Sequence, residues 1–595
     1  MSRLAILLSE GEPTRQHLHL ARILDFFGVP WKTVEFSEQM DAEGEDQDHV
    51  VFGSAQTVAS ALKQIHGANR SVPRQAAYYV YTSHDRAVSE RGLQSMCGDK
   101  DLLLREAPTG NVSLSVSREL SDLAGPMAGL EFSSQLRRED AVLVGVPGGE
   151  SRFETVISAG GAPVFMRFYQ NGVPVFFCAS SQMVDIDQTV GPGFYDVRDN
   201  FCSVVPLVMF IRLMFPDVAW RSQELGACLI IDDPLLKRRY GSCDFGMLRS
   251  LMQQYGFTTN VAFIPWNWRR TSPTASEFFR NEQGRFSVSI HGCDHIGAEF
   301  GDTSTAVLNN RAKLAQSRMR KHEARTGIHH DPVMIFPQGV FSSGSPDALK
   351  RNGFLAAVNT ETVPVDSSCV GTRIRDVWDV AITTYGGFPI FTRRYAFHGL
   401  ENFAFDLLLG KPCLIVSHHE FFKDECVGLI ELIEKLESLN CSLRWRPLGD
   451  VIRRACRRRM RSGGVEEVEM YGNELLIDNP SGQSINVHVR KRENQPDLVA
   501  EVRCDQKPVM WTTEEDHLVF DERIGPCSER HFQVLYREQA ETENLNRSLR
   551  FEVSVAARRL LSEFRDDYLS RSRFLSTTVA SLKNVITKTK LGPAA

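Results

Sequence analysis

The sequence lacks several features that would place it in a specialised class of protein. Its 595 residues carry 68 basic and 74 acidic side chains, so the net charge is −6. No positive excess is available to hold a phosphate backbone, and no nucleic-acid partner is expected. The thirteen cysteines include no Cys-x-x-Cys pair. Their scatter indicates reduced thiols instead of a disulfide framework.

Long hydrophobic runs are also missing. The first run, residues 4–8, is shorter than the roughly 7–15 apolar residues of a secretion signal, so it predicts a buried strand. The longest run, residues 204–215, contains Pro206 and Arg212 and falls short of the roughly 20 residues of a membrane helix. We therefore expect a core helix there, no membrane-spanning segment, and a cytoplasmic location.

Length and patterning divide the chain into three parts and a tail. At roughly 150 residues per domain, three or four folding units are expected. Residues 1–218 alternate short strands with amphipathic helices, which is typical of an α/β layer domain. Within them, Gln170-Asn171-Gly172 between two β-rich runs predicts a hairpin. The topology faintly resembles class I glutamine amidotransferases, but no Gly-x-Cys-x-Gly turn is present, so a non-catalytic domain is expected.

Residues 219–461 repeat strand and helix and predict a distorted (β/α) barrel, whose usual length is about 250 residues. Near-continuous apolar runs indicate parallel strands buried on both faces, at residues 227–231, 259–264, 286–290, 333–336, 356–358 and 413–417. Helices are expected at residues 305–325 and 429–439. The arginines between positions 453 and 461 are expected on the solvated face of a closing helix.

The remaining chain changes character. Residues 464–537 show short alternating strands between Gly, Pro, Asn and Asp turns, which predicts a small β-sandwich. The tail, residues 538–595, contains one predicted helix through Val555, Leu560, Phe564 and Leu569. The fold class expected is therefore α/β, with a central barrel between an α/β layer domain and a β-sandwich with a helical tail.

Polar residues follow four of the predicted barrel strands, where the active sites of such barrels lie. They are Asp232-Asp233, His291 with His295, the turn Pro337-Gln338-Gly339, and His418. Each has an alternative explanation when taken alone, such as an Asx turn before Pro234 or a chance pair of surface histidines. Two imidazoles and one carboxylate, however, make an open metal site. The order and placement of all four groups favour a site.

These motifs resemble those of the polysaccharide deacetylases, carbohydrate esterase family 4. The family motif Thr-Phe-Asp-Asp is matched by residues 230–233, His-x3-His by residues 291–295, and Leu-x-His by residues 416–418. The Arg-x-Pro-x-Gly motif is matched only in part, by residues 335–339. The resemblance spans residues 219–461 and implies a divalent metal, most often zinc, and a carbohydrate substrate.

Roles for individual residues follow from that resemblance. It implies Asp233, His291 and His295 as metal ligands, Asp232 as general base, His418 as general acid, and the Gln338 amide, in the turn with Pro337 and Gly339, as oxyanion donor. These roles suit amide hydrolysis. A divalent ion acidifies water, a carboxylate takes the proton, and a histidine protonates the departing amine. Fixed backbone donors stabilise the charge that develops in the transition state.

Some positions depart from the family motifs or stay open. Ile335 replaces the third-motif arginine, so Asp232 is expected to lose a charge partner, and Gln338 replaces the usual aromatic residue. Asp294 and Glu299 either approach the metal or lie on a solvated loop, the favoured alternative. The Trp266 and Trp268 indoles either bind a sugar ring or pack a loop, and the sequence does not distinguish these alternatives.

Three hypotheses follow from the sequence. The first is a metal-dependent hydrolase that removes an N-acetyl or O-acyl group from a saccharide or a saccharide-containing precursor. The second is a catalytically weakened relative that binds glycans or acts as a scaffold, supported by Ile335. The third is another hydrolysis on the same barrel, either of a C–N bond in a non-sugar amide or of a glycosidic bond. A glycosidase needs two facing carboxylates, however, and no second candidate is found at a late strand end.

Overall fold

The computed structural model describes residues 3–35, 48–67, 75–145, 152–366, 371–461, 463–537 and 548–565. Leu569 of the predicted tail helix, and residues 538–547 and 566–595 of the tail, lie outside these ranges. The described cysteines, which are all but Cys369, are not joined to one another by disulfides. Among the described helices, none is both long enough and apolar enough to cross a membrane.

The described residues of the N-terminal part form eleven strands and five helices. The strands are β1 (Arg3–Ser9), β2 (Trp31–Glu35), β3 (Asp48–Ser54), β4 (Gln75–Tyr81), β5 (Leu103–Glu106), β6 (Asn111–Val116), β7 (Glu131–Gln135), β8 (Ala141–Val144), β9 (Phe153–Ala159), β10 (Ala162–Gln170) and β11 (Val173–Cys178). The helices are α1 (Arg15–Phe27), α2 (Ala55–Gly67), α3 (Arg86–Cys97), α4 (Ser121–Ala124) and α5 (Phe201–Met214).

Nine of these strands form one mixed sheet in the order β2-β1-β3-β4-β11-β10-β9-β6-β7. Strands β1 to β4 and β11 are parallel, and the strands beyond β11 are antiparallel. The predicted hairpin is present, because Gln170 pairs with Val173 across the turn. Asn171 and Gly172 have φ values of 51° and 81°, which this tight turn requires.

The middle part of the chain contains the barrel-like sheet and a few further short strands. Its strands are β12 (Arg221–Ser222), β13 (Leu225–Asp232), β14 (Arg239–Tyr240), β15 (Cys243–Asp244), β16 (Thr259–Phe263), β17 (Phe286–His291), β18 (Val333–Ile335), β19 (Ala356–Asn359), β20 (Ile390–Thr392), β21 (Arg394–Tyr395), β22 (Cys413–Ser417) and β23 (Leu443–Trp445). Its helices are α6 (Phe245–Tyr255), α7 (Pro273–Asn281), α8 (Thr305–Thr326), α9 (Ser345–Arg351), α10 (Ile374–Trp378), α11 (Leu400–Leu409), α12 (Val427–Glu437) and α13 (Leu448–Arg454).

Eight parallel strands form a nearly closed, barrel-like sheet in the order β20-β19-β18-β17-β16-β13-β22-β21. The two end strands, β20 and β21, are consecutive in the chain and are separated only by Arg393. One short segment therefore pairs with β19 through its first half and with β22 through its second half. We call this segment, residues 390–395, the closing segment.

The six strands predicted for this part are present within two residues of their expected bounds. The closing segment was missed. Only its first residues, Ile390 and Phe391, are apolar, and Arg393 and Arg394 then end the hydrophobic run that marks a buried strand. Pairing on both sides holds it in the sheet despite those charges.

Two further sheets follow the barrel. Their strands are β24 (Cys456–Met460), β25 (Val465–Met470), β26 (Glu474–Asn479), β27 (Ile485–Arg492), β28 (Val499–Cys504), β29 (Lys507–Val509), β30 (Thr512–Glu514), β31 (His517–Ile524) and β32 (Ser528–Tyr536), and α14 (Leu549–Phe564) comes last. The sheets have the orders β12-β24-β25-β27-β31-β30 and β26-β32-β28-β29. Side chains of both share one apolar core, as in a β-sandwich.

The predicted solvated helix face of arginines is wrong. Helix α13 ends at Arg454, and the next arginines lie on strand β24. There Arg458 Nε donates to Glu466 at 2.8 Å and Arg459 Nε to Glu467 at 2.6 Å. Burial opposes ionisation of Glu467, but hydrogen bonds from Arg461 and Arg459 lower its pKa to about 2. Cross-strand ion pairs with β25 therefore explain Arg458 and Arg459. The sequence did not show this, because a run of arginines suits an exposed helix as well as a paired strand.

Helix α5 joins the first sheet to the barrel. It is apolar on all sides and almost entirely buried, as expected for a central core helix. The Phe210 ring lies 5.4 Å from that of Phe52, 5.1 Å from that of Tyr79 and 5.0 Å from that of Phe176. Residues of this sheet and of the barrel belong to one continuous hydrophobic cluster. The predicted boundaries of the domains themselves stay predictions.

We expect the Phe210→Ala substitution to lower the free energy of unfolding by about 3–5 kcal/mol, because it leaves a cavity among three aromatic rings. Denaturant unfolding followed by tryptophan fluorescence measures this change. Tyr169→Ala is the matched control, since the Tyr169 side chain is 50% exposed and its loss should cost far less. Equal destabilisation by the two substitutions would contradict the central position of α5.

Candidate metal centre

The first part of the site lies where β13 ends. The strand is buried on both faces up to Asp232, and Asp233 then takes a φ of 80° before Pro234. A positive φ is uncommon for a residue other than glycine, and such strained positions cluster at functional sites. The change of backbone direction separates the two carboxylates. Asp232 contacts Arg393, whereas Asp233 faces two histidines.

Three side chains converge next to this turn. His291 is the last residue of β17, and His295 follows in a loop with a φ of 56°. Asp233 Oδ1 lies 3.3 Å from His291 Nε2 and 2.9 Å from His295 Nε2. The three ligand atoms lie within 4.8 Å of one another. In the part of the chain that the structure describes, no other group of three such side chains converges in this way.

The residues present fit a divalent cation. Asp233 Oδ1 is buried and has no hydrogen-bond partner, although two ring nitrogens lie close to it. A buried carboxylate oxygen without a partner is costly, and a shared cation would satisfy it together with both rings. One carboxylate oxygen and two imidazole nitrogens are a donor set that zinc accepts.

A hydrogen bond sets the orientation of the first imidazole. His291 Nδ1 lies 3.0 Å from the carbonyl oxygen of Ile335 on the neighbouring strand β18. A carbonyl only accepts, so Nδ1 carries the proton and the lone pair of a neutral ring is on Nε2, facing Asp233. Burial opposes protonation, but the charges of Asp232 and Asp233 outweigh it and raise the pKa of His291.

The loop between the histidines is organised around Glu299. Its carboxylate accepts hydrogen bonds from the backbone N–H groups of Cys293, Asp294 and His295 at 2.7, 3.1 and 3.2 Å. At Gly292, which has a φ of 62°, an added Cβ would lie 1.9 Å from Glu299 Oε1. Only glycine allows this close approach.

Neither Asp294 nor Glu299 lies on a solvated loop, so the favoured interpretation of these residues is wrong. The exposed fractions of the two residues are 2% and 1%. Asp294 Oδ1 accepts from Arg318 at 2.7 Å on helix α8, and Glu299 binds the loop amides. The motif spacing did not show these partners, because one is distant in sequence and the others are backbone groups.

Asp232 has a charge partner that sequence analysis missed. Arg393 in the closing segment donates from Nη1 to Oδ1 and from Nη2 to Oδ2, both at 2.7 Å. Burial alone would raise the pKa of Asp232, but the charge of Arg393 and then that of His291 hold it below its usual range. The expectation that Ile335 leaves Asp232 without a partner is therefore wrong.

Strand alternation explains how Arg393 takes the place of the third-motif arginine, whose position holds Ile335. Ile335 is fully buried in the apolar cluster that also contains Ile230 and Phe391. Residues two positions apart in a strand lie on the same face, so Arg393 is expected on the face of Phe391. The sequence Phe391-Thr392-Arg393 therefore indicates where Arg393 points, once the closing segment is assigned as a strand.

The remaining predicted residues lie around the same end of the barrel. His418 is exposed just after β22, and its Nε2 lies 3.4 Å from the Tyr395 hydroxyl. Pro337 is buried at the turn after β18, and Gln338 has a φ of 60°. Gln338 Oε1 accepts from the Ala298 amide at 3.3 Å, so this turn contacts the histidine loop. The strand-end turn finishes at Gly339, whose φ is 72°.

The two tryptophans have different surroundings. The Trp266 amide donates to the carbonyl of Cys293 at 3.1 Å, which joins its loop to the histidine loop. The Trp268 ring has the guanidinium of Arg269 at 4.5 Å and the ammonium of Lys321 at 5.9 Å from its centroid. Cation–π packing of this kind favours a structural role for Trp268.

Comparisons with known proteins add little to this geometry. No protein family model matches the sequence, and no curated protein does. A putative polysaccharide deacetylase structure from Mycobacterium smegmatis is 13% identical over 40% of this chain and 91% of that chain, with a TM-score of 0.27. A carbohydrate esterase family 4 pseudoenzyme from Bacillus anthracis is 12% identical over 38% of this chain and 64% of that chain, with a TM-score of 0.22.

The N-terminal part has its own distant likeness. A glutamine amido transferase structure from Methylobacillus flagellatus is 10% identical over 30% of this chain and 70% of that chain, with a TM-score of 0.19. At TM-scores this low, none of these likenesses carries an argument about fold or function. The site is therefore interpreted from its own geometry.

We expect the Asp233→Ala and His295→Ala proteins to lose at least about nine-tenths of the bound divalent metal, because each substitution removes one of three ligands. Metal analysis by mass spectrometry after growth in zinc-supplemented medium measures the content per protein. His329→Ala is the matched control, because the His329 side chain is 76% exposed and lies outside the convergent group. Unchanged metal content in all three proteins would refute the site.

Proposed function

We propose that this protein is a metal-dependent hydrolase that removes an acyl group from a saccharide or a saccharide-containing precursor. The acyl group proposed first is N-acetyl. One observation carries the proposal. A convergent group of one carboxylate and two imidazoles lies beside a second, ionised carboxylate at the carboxyl end of a barrel-like sheet. The proposal includes zinc as the metal, a carbohydrate as the substrate and the cytoplasm as the location.

The convergent group would hold the metal through Asp233, His291 and His295. A bound divalent ion would polarise an acyl carbonyl and lower the pKa of a water molecule. The hydrogen bond from His291 Nδ1 to Ile335 and the Glu299 contacts position the histidines for this binding. Because the two histidines lie in and next to β17, most of the ligand set is fixed by one strand end and its loop.

Asp232 is suited to take the proton from the attacking water. It follows Ile231 on a rigid strand and directly precedes the metal-binding Asp233 in the chain. Arg393 keeps its carboxylate ionised and fixes its orientation through two hydrogen bonds. Each carboxylate oxygen still has a second lone pair with which to accept a proton. In this scheme Arg393 is a positioning residue and not a catalytic one.

Protonation of the departing amine is assigned to His418. Its exposed ring at the barrel mouth is accessible to a leaving group, and the Tyr395 hydroxyl orients it. The Gln338 amide, in a turn with positive φ that contacts the histidine loop, is assigned to the developing oxyanion. An acid, a base and an oxyanion donor from three different strand ends suit acyl transfer to water.

The alternative of a catalytically weakened relative loses its main support. That hypothesis depended mainly on Ile335, whose replacement of arginine was expected to remove a charge partner from Asp232. Arg393 supplies the same charge from the closing segment. A glycosidase mechanism needs two separated carboxylates, whereas Asp232 and Asp233 are adjacent and engaged with different partners.

We expect the Asp232→Asn protein to release acetate from N-acetylated oligosaccharides at least about a hundredfold more slowly than the unmodified protein, because it has no general base. Acetate is measured by a coupled assay across a panel of such sugars. Asp521→Asn is the control, since the Asp521 side chain is 80% exposed on strand β31. Equal rates for Asp232→Asn and the unmodified protein, with metal content retained, would remove Asp232 as the base.

Removing the charge of Arg393 should move the pH dependence of catalysis. The arginine lowers the pKa of Asp232, so Arg393→Met raises that pKa and the base becomes protonated at a higher pH. We expect the acidic limb of the kcat/KM profile to shift upward by about 1–3 pH units. Arg393→Lys, which keeps a positive charge, should shift it less. A uniform loss of rate without a shift would indicate a purely structural role.

A further inference from the structure

Helix α14, the last of the described helices, packs beside the candidate metal centre. Its inner face is mixed, with Val555 and Arg559 buried. Glu563 pairs with Lys237, four residues after Asp233, and with Arg270, which follows the Trp266 loop. These contacts place α14 at the end of the barrel where the metal ligands lie.

The position of Arg558 agrees with this placement. Its Nη2 lies 3.9 Å from where a Cβ on Gly297 would stand, and Gly297 is two residues after His295. The helix therefore lies near the histidine loop as well as the loop after β13.

The outer face of α14 is apolar. The helix carries five of the large hydrophobic side chains that are exposed in the described part of the chain. They are Leu549, Val553, Leu560, Leu561 and Phe564, with exposed fractions of 82%, 60%, 55%, 69% and 52%. Scattered exposed hydrophobic residues are ordinary, but a contiguous apolar face marks an interaction surface.

Helical geometry makes these side chains contiguous. At about 100° per residue, positions 549, 553, 560 and 564 fall within about 60° of arc, and Leu561 extends the face to about 120°. The exposed arginine Arg550 lies within this face, and Arg565 lies along one border of it. We call this surface the outer face of α14.

We propose that the outer face of α14 binds the surface of a membrane that contains anionic lipids. A helix of this type lies in the interface, with its apolar side chains among the acyl chains and its cations at the headgroups. The following segment of sequence has the same sign of charge. It contains Arg571, Arg573, Lys583, Lys588 and Lys590 against Asp566 and Asp567. Basic residues near an apolar helix strengthen binding to anionic headgroups.

The dimensions of the face argue against a second copy of the chain as its occupant. Helix α14 has 16 residues. At 1.5 Å per residue it is about 24 Å long, and with a width of about 10 Å it covers only about 240 Å². A stable protein interface buries about 800 Å² on each partner. The two arginines on this surface of each copy would also repel those of the other copy.

Vesicle sedimentation with the full-length protein tests the proposal. We expect it to bind vesicles made of equal parts of phosphatidylcholine and phosphatidylglycerol, and to bind phosphatidylcholine vesicles more weakly. The Val553→Glu/Leu560→Glu protein should lose at least about tenfold in partitioning, because two charges would enter the apolar layer. The charge-matched control is Leu18→Glu/Met510→Glu, at residues that are 51% and 90% exposed elsewhere. It should bind like the unmodified protein.

Several outcomes would overturn the proposal. One is that the unmodified protein binds neither type of vesicle. Another is that the two double variants bind equally. Light scattering that showed a dimer, dissociated by Val553→Glu/Leu560→Glu without any vesicle binding, would assign the face to a second copy. Circular dichroism checks that each variant is folded. Metal content and acetate release from soluble sugars, measured on the same proteins, report independently on the proposed hydrolase.

Discussion

The ion pair between Asp232 and Arg393 is the interaction on which the candidate site depends. Asp232 ends the first strand of the barrel-like sheet, and Arg393 separates the two halves of the closing segment. Strand β22 lies between them on one side of the sheet. Two hydrogen bonds therefore join the β13 strand end to the place where the sheet closes. The charge that keeps Asp232 ionised comes from a segment that is paired with β19 on one side and with β22 on the other.

The site also depends on backbone conformations that side chains disfavour. Asp233, His295 and Gln338 all have positive φ values, and they come from three different strand ends. Each costs of the order of 1–3 kcal/mol, and such conformations persist only when the surrounding structure fixes them. Here Glu299, the Gln338 side chain and the neighbouring strands supply that restraint. The cost of the strain is offset by contacts that hold the ligand atoms close together.

The sequence predicted the barrel strands, because apolar runs mark buried parallel strands, and it placed polar residues at their ends. The grouping of Asp233 with His291 and His295 came from the motif resemblance. The sequence did not predict the closing segment, whose charged residues interrupt the apolar pattern. For the same reason it missed Arg393. The strand position of Arg458 was also mispredicted, since its partner Glu466 lies across a turn and arginines suit both helix and strand pairs. Contacts distant in sequence leave no periodic signal.

The three amides bound by Glu299 have a consequence for how the site is ordered. The backbone N–H donors of the loop between the histidines find their acceptor within the chain. The protein itself therefore holds the two imidazoles near Asp233. In the proposed hydrolase, little of the binding free energy of a cation would be needed to order this loop, and the centre would act as a preorganised receptor.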